Sequence, residues 1–157
     1  MASQLPAFPR VIFTILEPIS LLAGAFPAIL NPAWFIEQQI DSPVPISTTA
    51  QAELAAQQLG NCYFLAFLLA VAVLYSTNEI AVVRRYLIAL WIADISHIAI
   101  TLFGLGYETT MAPGSWNSMA WGNIGATGFL FLTRSAYFLG VFGADKPQLL
   151  SIGKKSQ

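Results

Sequence analysis

The sequence predicts an all-α integral membrane protein, folded as a four-transmembrane-helix bundle with both termini in the cytosol. Of its 157 residues, 56% are hydrophobic and only 10% are charged, whereas a soluble domain carries about 25% charged residues. Four stretches have the roughly 20 mostly apolar residues that a bilayer requires, and the basic residues cluster in alternate connections. So few charges cannot cover a water-facing surface. Residues 1–157 are therefore predicted to form a single integral membrane domain.

The apolar runs define the four predicted spans, which cover about residues 11–30, 53–75, 82–105 and 117–143. Glu17-Pro18 interrupts the first run, so that span lacks the continuous apolar core of a cleaved signal peptide. The alternative, a soluble helical bundle, would need many more charged side chains than this chain has.

Lysine and arginine are distributed asymmetrically between the connections. The connections 31–52 and 106–116 contain neither residue type; the basic residues near the other span ends are Arg10, Arg84, Arg85, Lys146, Lys154 and Lys155. Because basic residues favour the cytosolic side, both termini and the connection between the second and third spans are predicted to be cytosolic.

The last four residues, Lys154-Lys155-Ser156-Gln157, resemble the dilysine retrieval signal of endoplasmic-reticulum membrane proteins. Such a signal is an address read by a receptor, and it works on a cytosolic tail, which the charge distribution predicts here. We therefore expect a multi-pass protein of the endoplasmic reticulum membrane. The alternative is a chance pair of lysines in a basic tail.

Four ionisable residues lie inside the predicted spans, namely Glu17, Asp94, His97 and Arg134, and these are the candidate catalytic residues. A charged Asp or Arg near the centre of a span costs about 2.5 to 3.5 kcal/mol, so such groups face one another or a wet cavity. From the helical rise, Glu17 lies about 10 Å below the cytosolic surface, and Asp94 and Arg134 lie about 13 Å below it. His97 lies one turn deeper. Residues from three spans are thus predicted to share one level.

Polar residues recur at helical spacing on each span. Asp94, His97 and Thr101 form one stripe on the third span, and Asn123, Arg134 and Tyr137 share a face of the fourth. We expect these stripes to face the interior of the bundle. Amide and aromatic residues on or beside them are the candidate substrate-binding residues: Asn61, Trp91, Trp116, Trp121, Asn123 and Tyr137. Aromatic faces among them could stabilise a carbocation.

The charges in the spans indicate possible acid–base chemistry. Arg134 cannot lose its proton and needs a carboxylate. If one of the two nearby carboxyl groups pairs with it, the other is either neutral or paired with protonated His97. A protonated carboxyl beside an imidazole can act in general acid–base catalysis. The sequence leaves open whether Glu17 or Asp94 is the proton donor.

An alternative interpretation gives the same residues a purely structural role. Arg134 and Asp94 can form a buried pair that sets the register of the bundle. His97 can be an ordinary buried histidine, and Glu17-Pro18 can mark only a helix kink.

Three segments carry a resemblance to a known family: Phe8-Pro9-Arg10 to Ser20, Ala93 to His97, and Trp121 to Arg134. They resemble a family of short fungal membrane proteins that is catalogued as a domain of unknown function. Members of that family often accompany genes for terpenoid or other secondary metabolites, so the resemblance implies a secondary-metabolite setting without a defined reaction. A looser likeness, in architecture alone, is to the emopamil-binding-protein group, which includes sterol isomerases.

Several function classes lack their motifs in this sequence. It has no phosphate loop, dinucleotide fingerprint or Asp-rich diphosphate motif. With one cysteine and one histidine, Cys62 and His97, it cannot build a Cys/His metal set. We therefore predict no cofactor and no metal. A net charge of −1 also argues against nucleic acid as a partner.

The leading prediction is a membrane-embedded, redox-neutral cyclase or isomerase, acid–base or pericyclic, that acts on a hydrophobic terpenoid-like intermediate. Its expected partners are that small molecule, membrane lipids and other enzymes of the pathway. The alternative is a non-catalytic protein that binds a lipophile or holds pathway enzymes at the membrane. A channel or proton-coupled transporter is less favoured, because four short spans with a basic residue in the polar stripe need an oligomer to form a pore.

Overall fold

A computed structural model describes residue 2, residues 4–40 and residues 47–146, and the described residues form helices and turns without any β-strand. Helix α1 covers Ala7–Leu30, α2 covers Pro32–Glu37, α3 covers Ala50–Ser76 and α4 covers Ile80–Thr110. Helix α5 covers residues 118–138, after a 3₁₀ turn at Pro113–Ser115. The dilysine pair on which the retrieval prediction rests lies outside the described residues.

Local sequence explains where several helices begin and end. The Thr49 hydroxyl accepts a hydrogen bond from the Ala52 amide at the start of α3, and the Asn117 side chain accepts one from the Ala120 amide at the start of α5. Within α4, Gly106 has a φ of +76°, so the helix kinks there. Helix α5 ends at Phe138, because Gly140 leaves the helical region with a φ of +76°. The predicted fourth span continued to residue 143, five residues too far.

Three of the described helices, α1, α3 and α4, are long and apolar enough to cross a membrane. Most ends of these helices lie beyond the ends of the predicted spans, because each helix continues past its apolar part into polar residues. Helix α5 is not among these three, since it carries Asn123 and Arg134 among its apolar residues. The outer surface suits lipid: Ile100, Phe103 and Leu132 are all largely exposed.

The helices pack mainly as two pairs, α1 with α3 and α4 with α5. Gly60 of α3 permits the close approach of α1: a Cβ atom at this position would lie 2.7 Å from Ile29 Cγ1 and 3.0 Å from the Ala25 carbonyl oxygen. One turn further along, the Tyr63 ring covers Gly24. Small residues at these positions let two helix backbones pack closely, as they do in membranes.

Buried apolar residues form one cluster at each end of the bundle. The first includes Leu5, Phe13, Leu74 and Leu87, and the second is built on Ala28, Phe35 and Ala56. At the first end, the Ala2 amide donates to the Leu74 carbonyl oxygen at 2.6 Å, and the Lys146 amide donates to the Gln4 carbonyl oxygen at 2.7 Å. The two ends of the described chain therefore meet at the same end of the bundle.

Candidate functional site

Arg134 of α5 binds two carboxylates from two other helices. Its Nη1 donates to Asp94 Oδ2 on α4, and its Nη2 donates to Glu17 Oε1 on α1. The Arg134 side chain is 0% exposed, that of Glu17 is 5% exposed and that of Asp94 is 11% exposed. The three residues that were predicted to share one level are therefore in direct contact and largely enclosed. We call Glu17, Asp94 and Arg134 the charge cluster.

Other side chains complete the surroundings of the charge cluster. The Phe13 ring lies 5.3 Å from the guanidinium carbon of Arg134, a cation–π contact. Tyr86 of α4 is close enough to Glu17 and Arg134 to interact electrostatically with both. Among the described residues, Glu17 Oε2, Tyr86 Oη and Arg134 Nε are buried without a hydrogen-bond partner. Buried polar atoms are normally satisfied, so these three atoms are exceptions to that rule.

The backbone around Glu17 is shaped by Pro18. Proline has no amide hydrogen, so the carbonyl oxygen of Thr14, four residues earlier, loses its usual helical donor. The Tyr75 hydroxyl on α3 donates to that oxygen at 2.7 Å. The preceding residues, Ile12–Leu16, form a π-helical turn, a feature that occurs frequently at functional sites. Together these features set the rotation at which α1 presents Glu17.

His97 belongs to a second polar cluster, one turn from Asp94 on α4. Its side chain is hydrogen-bonded to Asn123 of α5, and Asn123 Nδ2 donates to Gln39 Oε1 at 3.1 Å. Within the described chain, His97 forms no ion pair with Asp94 or Glu17. Both carboxyls contact Arg134, so of the two expected alternatives for the second carboxyl, the pairing with His97 is not observed among the described residues.

A groove of about 580 Å³ lies between α4 and α5, on a different face of α4 from Asp94. It is lined by Arg84, Ile88, Trp91, Ser135, Tyr137, Phe138 and Leu139. Inside it, Trp91 Nε1 donates to Ser135 Oγ at 2.9 Å. At its mouth, Arg84 forms a 2.6 Å ion pair with Asp145, which also accepts a hydrogen bond from the Tyr137 hydroxyl at 2.9 Å. Two of the candidate substrate-binding residues, Trp91 and Tyr137, thus line this groove.

The remaining candidate substrate-binding residues lie apart from both the charge cluster and the groove. Trp116 and Trp121 contact each other edge to face, with ring centroids 5.2 Å apart, and Trp116 Nε1 donates to the Thr109 carbonyl oxygen. Asn61 is exposed on α3. The structure therefore divides the ten candidate residues among five places rather than around one cavity.

Sequence reasoning did not single out Tyr86, Phe13 or Gln39. Tyr86 had a detectable signal: it precedes His97 by eleven residues, about three turns, and so shares its face of α4. Phe13 and Gln39 had no comparable signal, because an apolar ring in an apolar span and a polar residue in a connection are both ordinary.

The described residues contain no group of three His, Cys, Asp or Glu side chains placed to hold a metal ion. The enclosed charge cluster could instead hold or transfer a proton, since it combines two carboxyls with one permanently charged guanidinium.

Comparison with known proteins identifies the family of this chain. No curated protein and no solved structure matches the chain. A match to a protein family covers residues 2–144, which include all five helices, the charge cluster and every residue that lines the groove. The chain therefore belongs to DUF7704, a family described as a domain of unknown function.

Proposed function

We propose that this protein is a membrane-embedded, redox-neutral isomerase or cyclase that acts on a hydrophobic, terpenoid-like molecule by proton transfer. The observation that supports it is the charge cluster, in which two carboxyls share one buried guanidinium. If both carboxyls were ionised, the cluster would hold a net negative charge in a medium of low dielectric, which is strongly disfavoured. One retained proton makes the cluster neutral and provides an acid inside the membrane protein.

We place that proton on Glu17. Its Oε1 accepts from Arg134, whereas its buried Oε2 has no partner among the described residues. A protonated Oε2 can add its hydrogen to a carbon–carbon double bond, and the electron pair of that bond forms the new C–H bond. Loss of a proton from a neighbouring carbon, back to Glu17, completes an isomerisation. In a cyclisation, the electron pair of a second double bond first attacks the carbocation to form the ring bond, and the same loss of a proton to Glu17 follows. Neither reaction needs an oxidant or a reductant. Asp94 remains ionised on Arg134.

We assign His97 to substrate positioning rather than to proton relay. It pairs with Asn123, which in turn binds Gln39, so these side chains form a polar group about one turn beyond the charge cluster. A hydroxyl or carbonyl of an otherwise apolar substrate could bind there while its double bond lies near Glu17.

We further propose that α5 crosses the bilayer beside α1, α3 and α4. This gives four spans in the endoplasmic-reticulum membrane, with both termini in the cytosol. Supporting this, both ends of the described chain meet at the end of the bundle where Arg10, Arg84 and Arg85 also lie. The resemblance to fungal proteins of secondary metabolism supports a terpenoid pathway as the setting.

One observation favours a second candidate, a protein that binds a lipophile without converting it. The groove between α4 and α5 is large and mostly apolar, yet none of the charge-cluster residues lines it. A molecule held only in this groove would not touch Glu17.

The deciding experiment incubates microsomes that contain only this protein with hydrophobic pathway intermediates, and searches by chromatography and mass spectrometry for a product of unchanged mass. We expect Glu17→Gln and Asp94→Asn each to abolish the product, since either change leaves one carboxylate on Arg134 and no retained proton. Glu37→Gln, at an exposed carboxyl, is the matched control and should retain activity. Binding of the intermediates without conversion would favour the second candidate, and a product that persists in both variants would exclude acid catalysis in favour of a shape-driven reaction.

A further inference from the structure

The groove between α4 and α5 is followed by a second groove further along the junction of these helices. Trp91, in the groove, stacks on Phe131 with ring centroids 5.7 Å apart. Phe131 in turn lines a second, entirely apolar groove of about 250 Å³ with Ile95, Ile98 and Leu102. The α4 residues from Ile88 to Leu102 that line the two grooves recur every three or four positions, so they lie on one face of the helix. The two grooves therefore lie one after the other along the α4–α5 junction.

Among the described residues that line the two grooves, only Arg84, at one end, is charged. Arg84 stands at the mouth of the first groove with 57% of its side chain exposed, one turn after the start of α4. Its Nη2 pairs with Asp145 and its Nε donates to the Tyr137 hydroxyl at 3.4 Å. Among the described contacts Nη1 has no partner, so this nitrogen can still donate to an anion.

The surrounding charges also favour an anion. The described residues at this end of the bundle include the cations Arg10, Arg84, Arg85 and Lys146, against the carboxylates of Glu79 and Asp145. The excess of positive charge remains after the Arg84–Asp145 pair is counted. An amphiphile with an anionic head and an apolar chain matches this arrangement, because the cation lies at one end and apolar side chains line the rest.

We propose that the groove binds an anionic phospholipid of the surrounding membrane, with its phosphate on Arg84 and one acyl chain along Ile88, Trp91 and Phe131. This site does not depend on the proposed acid–base function, because the charge cluster lies on a different face of α4. The lipid would fill the α4–α5 junction and bind the two helices to each other, at the end of α5 that carries Arg134.

Quenching of Trp91 fluorescence tests the proposal. The full chain with Trp34, Trp116 and Trp121 each changed to Phe retains Trp91 as its one tryptophan. It is placed in phosphatidylcholine vesicles that contain a minor fraction of either phosphatidylglycerol or phosphatidylcholine with brominated acyl chains. A basic residue near a membrane surface attracts an anionic lipid about five-fold. We therefore expect brominated phosphatidylglycerol to quench Trp91 at an about five-fold lower fraction than brominated phosphatidylcholine.

Three variants separate a specific site from general surface charge. Arg84→Gln should remove the preference for phosphatidylglycerol, whereas Arg85→Gln, at an exposed neighbour that does not line the groove, should retain most of it. Asp145→Asn breaks the ion pair but keeps the cation, so the preference should persist or increase. Native mass spectrometry of the unmodified chain, which counts retained phosphatidylglycerol and phosphatidylcholine, gives the same comparison without any tryptophan substitution.

Equal quenching by both lipids would overturn the proposal. So would an equal loss of preference in Arg84→Gln and Arg85→Gln, which would indicate surface charge alone. A loss in Asp145→Asn as large as that in Arg84→Gln would show that Arg84 acts only as the structural partner of Asp145.

Discussion

Arg134 donates a hydrogen bond to Glu17, a residue 117 positions earlier in the chain, and neither side chain is more than 5% exposed. This contact joins the α1–α3 pair of helices to the α4–α5 pair. Because Arg134 also binds Asp94, one guanidinium connects three helices. Such a buried group stabilises the fold only while it keeps a partner, since an unpaired buried charge is strongly unfavourable.

The first prediction concerns how the two carboxyls share Arg134. Glu17→Gln and Asp94→Asn should each change the free energy of unfolding by less than about 1 kcal/mol, because the remaining carboxylate still neutralises Arg134. The double variant leaves an unpaired buried guanidinium and should lose about 3 to 5 kcal/mol more than the sum of the singles. Thermal unfolding of the protein in detergent measures this, with Glu37→Gln/Glu53→Gln as the matched double control. Additive effects in the double variant would mean that the carboxyls do not share the guanidinium.

The second prediction concerns Tyr86, whose hydroxyl is buried without a partner near Glu17. Tyr86→Phe should leave the free energy of unfolding within about 1 kcal/mol of the parent, because it removes no hydrogen bond formed among the described residues. If this hydroxyl orients the substrate or the proton on Glu17, the variant should form the isomer about ten-fold more slowly. Tyr63→Phe on α3 is the control. A destabilised protein with a normal rate would assign Tyr86 to packing instead.

The third prediction concerns the hydrogen bond between Tyr75 and the Thr14 carbonyl oxygen. Tyr75→Phe should cost about 1 to 2 kcal/mol, because that oxygen faces no amide hydrogen at Pro18. Pro18→Ala restores an amide at that position, so Tyr75→Phe should cost much less in that background. A double-mutant cycle of unfolding free energies measures the coupling. A cost that is the same in both backgrounds would show that Tyr75 stabilises the bundle through its other contacts.

The fourth prediction concerns the close packing of α1 on α3 at Gly60. Gly60→Ala should destabilise the protein by about 1 to 3 kcal/mol, because the added methyl group meets the Ala25 carbonyl oxygen and the side chains of Ala28 and Ile29. Gly128→Ala on α5 is the matched control, since nothing lies within 4 Å of its added Cβ. That control should be neutral or stabilising by up to about 1 kcal/mol, since alanine favours helix. Similar melting temperatures for the two variants would contradict the close approach of α1 and α3.

The fifth prediction tests the proposed topology. The sequence contains no Asn-x-Ser/Thr acceptor, so each introduced acceptor reports on one segment only. With four spans and cytosolic termini, an acceptor tag inserted between α2 and α3 should be glycosylated, and one at either terminus should not. Gel mobility before and after deglycosylation gives the result. A glycosylated C-terminal tag would show that α5 does not cross the bilayer.

The sequence by itself determined that the chain is helical, where its long apolar helices lie, and which ionisable residues lie within them. The physical reason is local: in lipid, the backbone of a spanning segment must satisfy its own hydrogen bonds, so apolar length and helical spacing can be read directly. The common level of Glu17, Asp94 and Arg134 followed from the same helical rise.

Only the tertiary structure decided which of these groups meet. It placed both carboxyls on Arg134, paired His97 with Asn123, and turned Trp91 away from the charge cluster toward a separate groove. These outcomes depend on how far each helix is rotated about its axis. That rotation is set by contacts between distant parts of the chain, such as Gly60 against Ala25 and Tyr75 against Thr14, which no periodicity within one helix encodes.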